Sequence, residues 1–224
     1  MNKYLYSLAV LLCASLAAQA QTQKGSQLLG GQISESTGKG TTIEHDPSDN
    51  GATTVSKDKM NYFGIGPSYS YFVANNLDLG ASVGYTSSTL KNNFSALGND
   101  ATQQKGFNSG VFLRKYFLYD GKVGFRVGPY VSYQHAKATM NYQNTQSFNE
   151  DTVENRLNAG IGLDFVYFPA RRIGLAASIG SLSYEKVYYK ELSGGQLMQE
   201  QRDHAFGANL ASNLALSVYY SFGK

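Results

Sequence analysis

The sequence predicts an all-β fold, a closed eight-stranded antiparallel up-and-down transmembrane β-barrel. Three observations lead there. Eight segments alternate bulky apolar with small or polar residues, the pattern of half-buried strands. The connections between them alternate short and long. Opposite each bulky face lies a face of Gly, Ser, Ala and Asn, too small to fill a dry core.

The alternation places strands at 26–37, 59–73, 77–91, 106–119, 123–140, 154–168, 173–190 and 204–222. Short turns fall at Ala74-Asn75-Asn76, Asp120-Gly121-Lys122 and Pro169-Ala170-Arg171-Arg172, where Asn, Asp, Gly and Pro supply turn chemistry. Long polar loops are expected over 38–58, 92–105, 141–153 and 191–203. Short turns at one end and long loops at the other are the arrangement of a membrane barrel, and an even strand count puts both termini on the short-turn side.

Which face is greasy decides what surrounds the barrel. In the last strand Phe206, Leu210, Leu214, Leu216, Val218, Tyr220 and Phe222 share a face, against Gly207, Asn209, Asn213, Ser217, Tyr219 and Ser221. The third strand sets Leu77, Leu79, Val83 and Tyr85 against Asp78, Gly80, Ser82 and Gly84, and the sixth sets Leu157, Ile161, Leu163 and Phe165 against Asn158, Gly160, Gly162 and Asp164. A soluble barrel would turn the bulky face inward. Here the small face suits the narrow interior of eight strands, so the bulky one turns to lipid. Closure follows, because hydrocarbon offers no partner to an unpaired backbone group.

Aromatics mark the two interfaces. Tyr71, Phe117, Tyr119, Phe165, Tyr167, Tyr220 and Phe222 lie beside the short turns or the C-terminus, and Phe63, Tyr85, Phe107, Tyr133, Tyr184 and Phe206 beside the long loops. Two girdles are expected where amphipathic rings meet headgroups. From Phe63 to Tyr71 and from Phe107 to Phe117 the spacing fits the roughly 9–11 residues of a tilted membrane strand.

The first twenty residues have a different character. Lys3, the apolar run Leu5–Leu16 and Ala18-Gln19-Ala20 read as a secretory signal peptide with its cleavage site, leaving 21–224 as the barrel domain. The only cysteine, Cys13, lies within that segment. A mature chain therefore has no thiol for a disulfide, metal or nucleophile. The formal charge of +3 falls to +2 without Lys3, which argues against nucleic acid as a partner.

Four ionisable residues fall on the inward face in the short-turn half: Asp78, Arg114, Arg126 and Asp164. Buried charges need partners, so a lumenal carboxylate–guanidinium network is expected, either a structural plug or a gate, with the plug favoured in so narrow a barrel. His45, His135 and His204 are the only histidines, and neither His135 nor His204 belongs to a nucleophile–base–acid spacing. No metal-ligand spacing is present. Gly64-x-Gly66 and Gly160-x-Gly162 are strand glycines, since no helix follows. No cofactor is expected.

The run Phe63 to Ser88, FGIGPSYSYFVANNLDLGASVGYTSS, resembles the second and third strands of the outer-membrane β-barrel (porin-like) family, similar in architecture to OmpX and the OmpA transmembrane domain. Leu29-Gly30-Gly31-Gln32-Ile33-Ser34, Gly110–Phe117 and Leu216–Phe222 carry the same resemblance. It implies a bacterial outer-membrane location, outer-membrane lipid around a monomer, and a barrel insertion machinery that reads a terminal aromatic, here Phe222. It implies no activity. A non-enzymatic role in envelope structure or in loop-mediated binding of an extracellular ligand is the first expectation. A small passive pore, a lipid-modifying enzyme using His135 or His204, and a soluble ligand-binding barrel are the alternatives.

Overall fold

The computed structural model describes residues 21–45, 53–94, 98–141, 150–210 and 216–223. The signal segment, residues 1–20, lies outside them, as does Leu214. Among the described residues there are nine strands: β1 (Gln27–His45), β2 (Thr53–Ala74), β3 (Leu77–Phe94), β4 (Gly98–Tyr119), β5 (Val123–Asn141), β6 (Glu150–Ala170), β7 (Ile173–Ser193), β8 (Gln196–Leu210) and β9 (Leu216–Phe222). Every neighbour is antiparallel, in sequence order from β1 to β7. β8 and β9 share the remaining position beside β7, and β9 returns to β1, so the ring has eight staves.

Closure is made at the short-turn end, where Gln27–Gly31 pair with Phe222–Val218. Above Gly31, among the described residues, β1 pairs with β2 alone and β8 with β7 alone. The register explains where the ladder changes. Leu210 faces Gly180 and Leu216 faces Ala177, so the partner of β7 changes from β8 to β9 between these two positions. A second irregularity lies in β7, where Leu163 faces Gly180 but Asp164 faces Ser178, leaving Ile179 as a bulge. That extra residue keeps both Leu175 and Leu182 on the outside.

The bulky face points outward. Leu29, Leu79, Val83, Val111, Val131, Leu157, Ile161, Leu175, Leu182 and Leu210 are exposed, and Leu216 and Val218 are 63% and 57% exposed. A soluble protein would not leave so continuous an apolar belt in water. All thirteen aromatics expected in the girdles, Phe63, Tyr71, Tyr85, Phe107, Phe117, Tyr119, Tyr133, Phe165, Tyr167, Tyr184, Phe206, Tyr220 and Phe222, are on this surface. Rings meet across strands, as in the Phe107–Tyr133 and Phe125–Phe165 pairs.

Where they are described, the expected long loops are mostly strand, while 46–52, 95–97 and 142–149 lie outside the described residues. β1 runs on to His45 and β2 starts at Thr53, β3 and β4 extend to Phe94 and from Gly98, and β5 and β6 to Asn141 and from Glu150. The stretch expected as a loop at 191–203 is a hairpin in which Ser193 pairs with Gln196 around Gly194-Gly195. Both glycines have positive φ, +57° and +82°, as a two-residue turn with primed geometry requires. Above the membrane both faces meet water, so the ladder persists while the apolar alternation that reveals it disappears.

The short turns are Asn75-Asn76, Asp120-Gly121-Lys122 and Arg171-Arg172, with Pro169 and Ala170 inside β6. Asn76, Asp120 and Gly121 have positive φ, a conformation Asn, Asp and Gly tolerate best.

Candidate functional site

The interior near the short turns is not lined only by small residues. Leu28, Phe72, Tyr116, Val166, Phe168, Ala176 and Tyr219 form one buried apolar cluster. Phe72 packs 5.3 Å from Tyr116, which lies 6.4 Å from Phe168, centroid to centroid. Room for these rings comes from glycine on the facing stave: a Cβ at Gly174 would stand 2.7 Å from the Phe168 ring. The segment before β1 closes the cluster from below. Gln21, Thr22 and Ser26 are buried there, Asn76 N–H donates to Thr22 O, Gly25 N–H donates to Phe72 O, and the Gln21 amide donates to Ala170 O.

Directly above this cluster lie the four inward charges. Antiparallel register sets Asp78 opposite Arg114, and Arg126 opposite both Tyr116 and Asp164. Each ion pair is thus a direct cross-strand pair. Arg114 donates from Nε and Nη2 to the two oxygens of Asp78 at 3.1 and 2.6 Å. Arg126 Nε donates to Asp164 Oδ2 at 2.6 Å. Asp78 also accepts from Ser70 Oγ at 2.8 Å and from Tyr116 OH at 3.0 Å, filling about the four acceptor sites a carboxylate has.

The two pairs are one network. Arg126 Nη1 donates to Tyr116 OH at 3.3 Å and Nη2 to Tyr219 OH at 2.9 Å. Ser70, Asp78, Tyr116, Arg126 and Tyr219 thereby join β2, β3, β4, β5 and β9 across the lumen. The Arg114 guanidinium also lies 3.7 Å over the Phe112 ring, and that ring covers Gly80, where a Cβ would stand 2.5 Å away. Asp78 is fully buried and Arg126 is 5% exposed. Charges so placed are costly alone and tolerable only because the donors and acceptors are matched.

Farther out the lumen is open and polar. A cavity of about 420 Å³ rests on Arg114, Arg126 and Asp164 and is walled by Ser82, Tyr130 and Ser217 among others. A second of about 330 Å³ shares Gln32, Ser82, Asn108 and Ser132 with it and reaches Arg156 and Glu185. Arg156 is held by Glu154 at 2.8 Å and Glu185 at 3.0 Å. On the outermost strands Lys137 meets Asp151 at 2.8 Å and Arg202 meets Glu200 at 2.7 Å. The hydrogen bond from Lys137, then that from Thr139, holds the Asp151 carboxyl below the usual carboxylate range. Arg202 does the same for Glu200.

The histidines are not brought into a catalytic arrangement by what is described. His135 Nδ1 lies 2.7 Å from Asn155 Oδ1 and its ring packs on Phe107. His204 is exposed on β8. Among the described residues no group of three or more His, Cys, Asp or Glu is placed to hold a metal ion.

Sequence reasoning found the charged four but not their packing. Phe72, Tyr116, Phe168 and Tyr219 alternate with outward aromatics such as Tyr71, Phe117, Tyr167 and Tyr220. The available signal was consecutive aromatic pairs beside every short turn, one ring for each face.

Among solved structures, the crystal structure of Ail, the attachment invasion locus protein of Yersinia pestis, is similar with a TM-score of 0.43 at 15% identity, covering 89% of this chain and 100% of that one. A likeness at that level decides nothing about function. Among curated proteins no match was found. A family model described as outer membrane protein beta-barrel domain matches residues 6–222. With nearly the whole chain matched, the chain belongs to the outer membrane protein beta-barrel domain family and is an integral protein of the bacterial outer membrane.

Proposed function

We propose that this protein is a non-enzymatic outer-membrane barrel that conducts no solute, supports the envelope, and presents long strands for binding at the cell surface. The observation that carries this reading is the Asp78–Arg114–Tyr116–Arg126–Asp164 network lying on the Phe72–Tyr116–Phe168–Tyr219 cluster. A charged layer satisfied by its own members, seated on a packed apolar layer, acts as a plug. A gate would need an alternative set of partners for Arg126, and Asp164, Tyr116 and Tyr219 already take three of its donors.

The surface-binding half of the reading rests on strand length. β2 and β4 have 22 residues each, about twice what the bilayer requires. The excess stands beyond Phe63 and Phe107 as ordered sheet, a rigid platform of the kind on which binding residues are placed. The working form is a monomer that begins at Gln21 once the signal is removed, and Phe222 is the aromatic offered to the insertion machinery.

Planar-bilayer recording of the purified protein tests the closed lumen. Wild type gives no stepwise conductance, and Arg126→Ala alone leaves the apolar cluster in place and the lumen shut. Sustained unitary currents from wild type would overturn the plug and favour a pore. Mass spectrometry of the membrane-extracted chain reads its N-terminus directly.

A further inference from the structure

Three lysines stand in direct register across three adjacent strands. Lys39 of β1 faces Lys59 of β2, and Lys59 faces Lys91 of β3. Lys57 lies two residues farther out on the same side of β2, opposite Thr41. All four are exposed, and with Gly40, Thr41 and Asp58 they line a groove of about 270 Å³, four ammonium groups against one carboxylate. Like charges directly opposite one another on a sheet destabilise it, so the barrel carries a local cost here. Elsewhere on the outer strands the cations Lys137, Arg156 and Arg202 each have a carboxylate within 3.0 Å. Among the described residues none of the four lysines is in an ion pair.

Position identifies what would neutralise them. Lys59 has the parity of Phe63, which is an outward girdle residue paired with Glu35, and Lys39 has the parity of Glu35. The row therefore projects from the lipid-facing side, four residues beyond the aromatic girdle. At roughly 3.3 Å per residue that is about 13 Å along the strand, and about 10 Å along the membrane normal for a strand tilted near 40°. This is the level of phosphates and sugars in the outer leaflet, just above the belt where aromatic rings sit. Lysine arms can lie along apolar surface and still lift their ammonium groups to that level.

We propose that Lys39, Lys57, Lys59 and Lys91 form a binding site for phosphate-bearing headgroups of outer-leaflet lipid, clamping the β1–β3 side of the barrel to its surrounding membrane. The site favours an anion with several negative charges, because one phosphate balances only part of the charge of four ammonium groups. A lipid bound there relieves the repulsion between Lys39, Lys59 and Lys91 and couples the outer sheet to the leaflet. It uses no group of the lumenal network and holds whether or not the lumen conducts.

The test is co-purification by native mass spectrometry from phosphatidylcholine vesicles containing a minority of diphosphoryl lipid A. Wild type retains the phosphorylated lipid in preference to phosphatidylcholine, and raised salt weakens the preference. Each Lys→Gln substitution reduces retention about fivefold, and the quadruple Lys→Arg variant keeps it. Heat-dependent gel migration verifies that every variant is a folded barrel. In neutral detergent Lys59→Gln unfolds at a higher temperature than wild type, because the repulsion is gone, and added lipid A reverses that order. Retention unchanged in the quadruple Lys→Gln variant would overturn the proposal. So would displacement of the lipid by an equal phosphorus concentration of inorganic phosphate, which would make the groove a small-anion site.

Discussion

The Tyr116 hydroxyl stands between two ion pairs, donating to Asp78 Oδ2 at 3.0 Å and accepting from Arg126 Nη1 at 3.3 Å. Its ring belongs to the apolar cluster beneath. One side chain thus serves both layers of the plug. Tyr116→Phe removes the bridge and leaves the packing. We expect a loss of about 1–3 kcal/mol, the range for stranding buried polar partners, read from urea unfolding in detergent. Unchanged stability would mean that the two ion pairs are independent.

Asp78 and Arg114 provide a sharper test of the charged layer. Asp78→Ala leaves the Arg114 guanidinium without its bidentate partner and should cost about 3–5 kcal/mol. The double variant Asp78→Leu with Arg114→Met should cost less than Asp78→Ala alone, because two apolar residues demand no partners. A double-mutant cycle on unfolding free energies measures the coupling, and a coupling near zero would contradict the geometry.

Val218 lies opposite Gly31 and Leu175, and Gly31 in turn faces Pro67, midway between the girdle residues Phe63 and Tyr71. Val218→Arg should destabilise the folded barrel by about 2–4 kcal/mol, as a cation near the bilayer midplane does. Gln199→Arg, on an exposed position of β8 above the membrane, should change stability by less than about 0.5 kcal/mol. Equal effects at the two positions would remove the membrane span assigned to β9.

The Asp151 carboxyl makes the outer part of the β5–β6 hairpin sensitive to acid. Its folded pKa lies below the ordinary value because Lys137 and Thr139 hydrogen-bond the charged form. The contribution is present above the unfolded pKa and is lost as pH falls through the lower folded value. Amide exchange at Thr139 and Asp151 should therefore accelerate only at strongly acidic pH. Lys137→Ala should move the Asp151 carboxyl resonance midpoint upward, toward the ordinary carboxylate value.

Gly194 and Gly195 hold the turn of the outer β7–β8 hairpin in the left-handed region, with φ of +57° and +82°. Gly195→Val places a β-branched residue where it is strained, a cost of about 1–3 kcal/mol. The loss should be confined to faster amide exchange over Glu191–Gln199, with barrel migration on a detergent gel unchanged. A wide loop at this place would tolerate the substitution.

The architecture was legible because a membrane strand must satisfy two solvents at once. Lipid on one side and a narrow polar lumen on the other force strict alternation, so the facing of Leu79, Val111, Ile161 and Val218 follows from parity. The girdles follow from the spacing of Phe63 to Tyr71 and Phe107 to Phe117. The same parity set Asp78, Arg114, Arg126 and Asp164 on the inner face.

Parity was silent on three matters. It lost the outer strands 38–45, 53–58 and 98–105, because strand that runs beyond the lipid has no apolar solvent on one side to enforce alternation. It missed the Ile179 bulge, since one extra residue reverses the facing without altering composition. It also missed the inward rings of Phe72, Tyr116 and Phe168, because their outward neighbours are aromatic too, although it did set Tyr219 on the inner face.

The order of residues alone determined that this chain is a lipid-facing antiparallel barrel, because alternation, turn chemistry and aromatic spacing are local properties of each strand. Only the folded ring decided that Ser70, Tyr116 and Tyr219 complete the charged layer and that Lys39, Lys59 and Lys91 stand in one row. Those meetings depend on inter-strand register, which is set jointly by neighbouring staves and is written in no single segment.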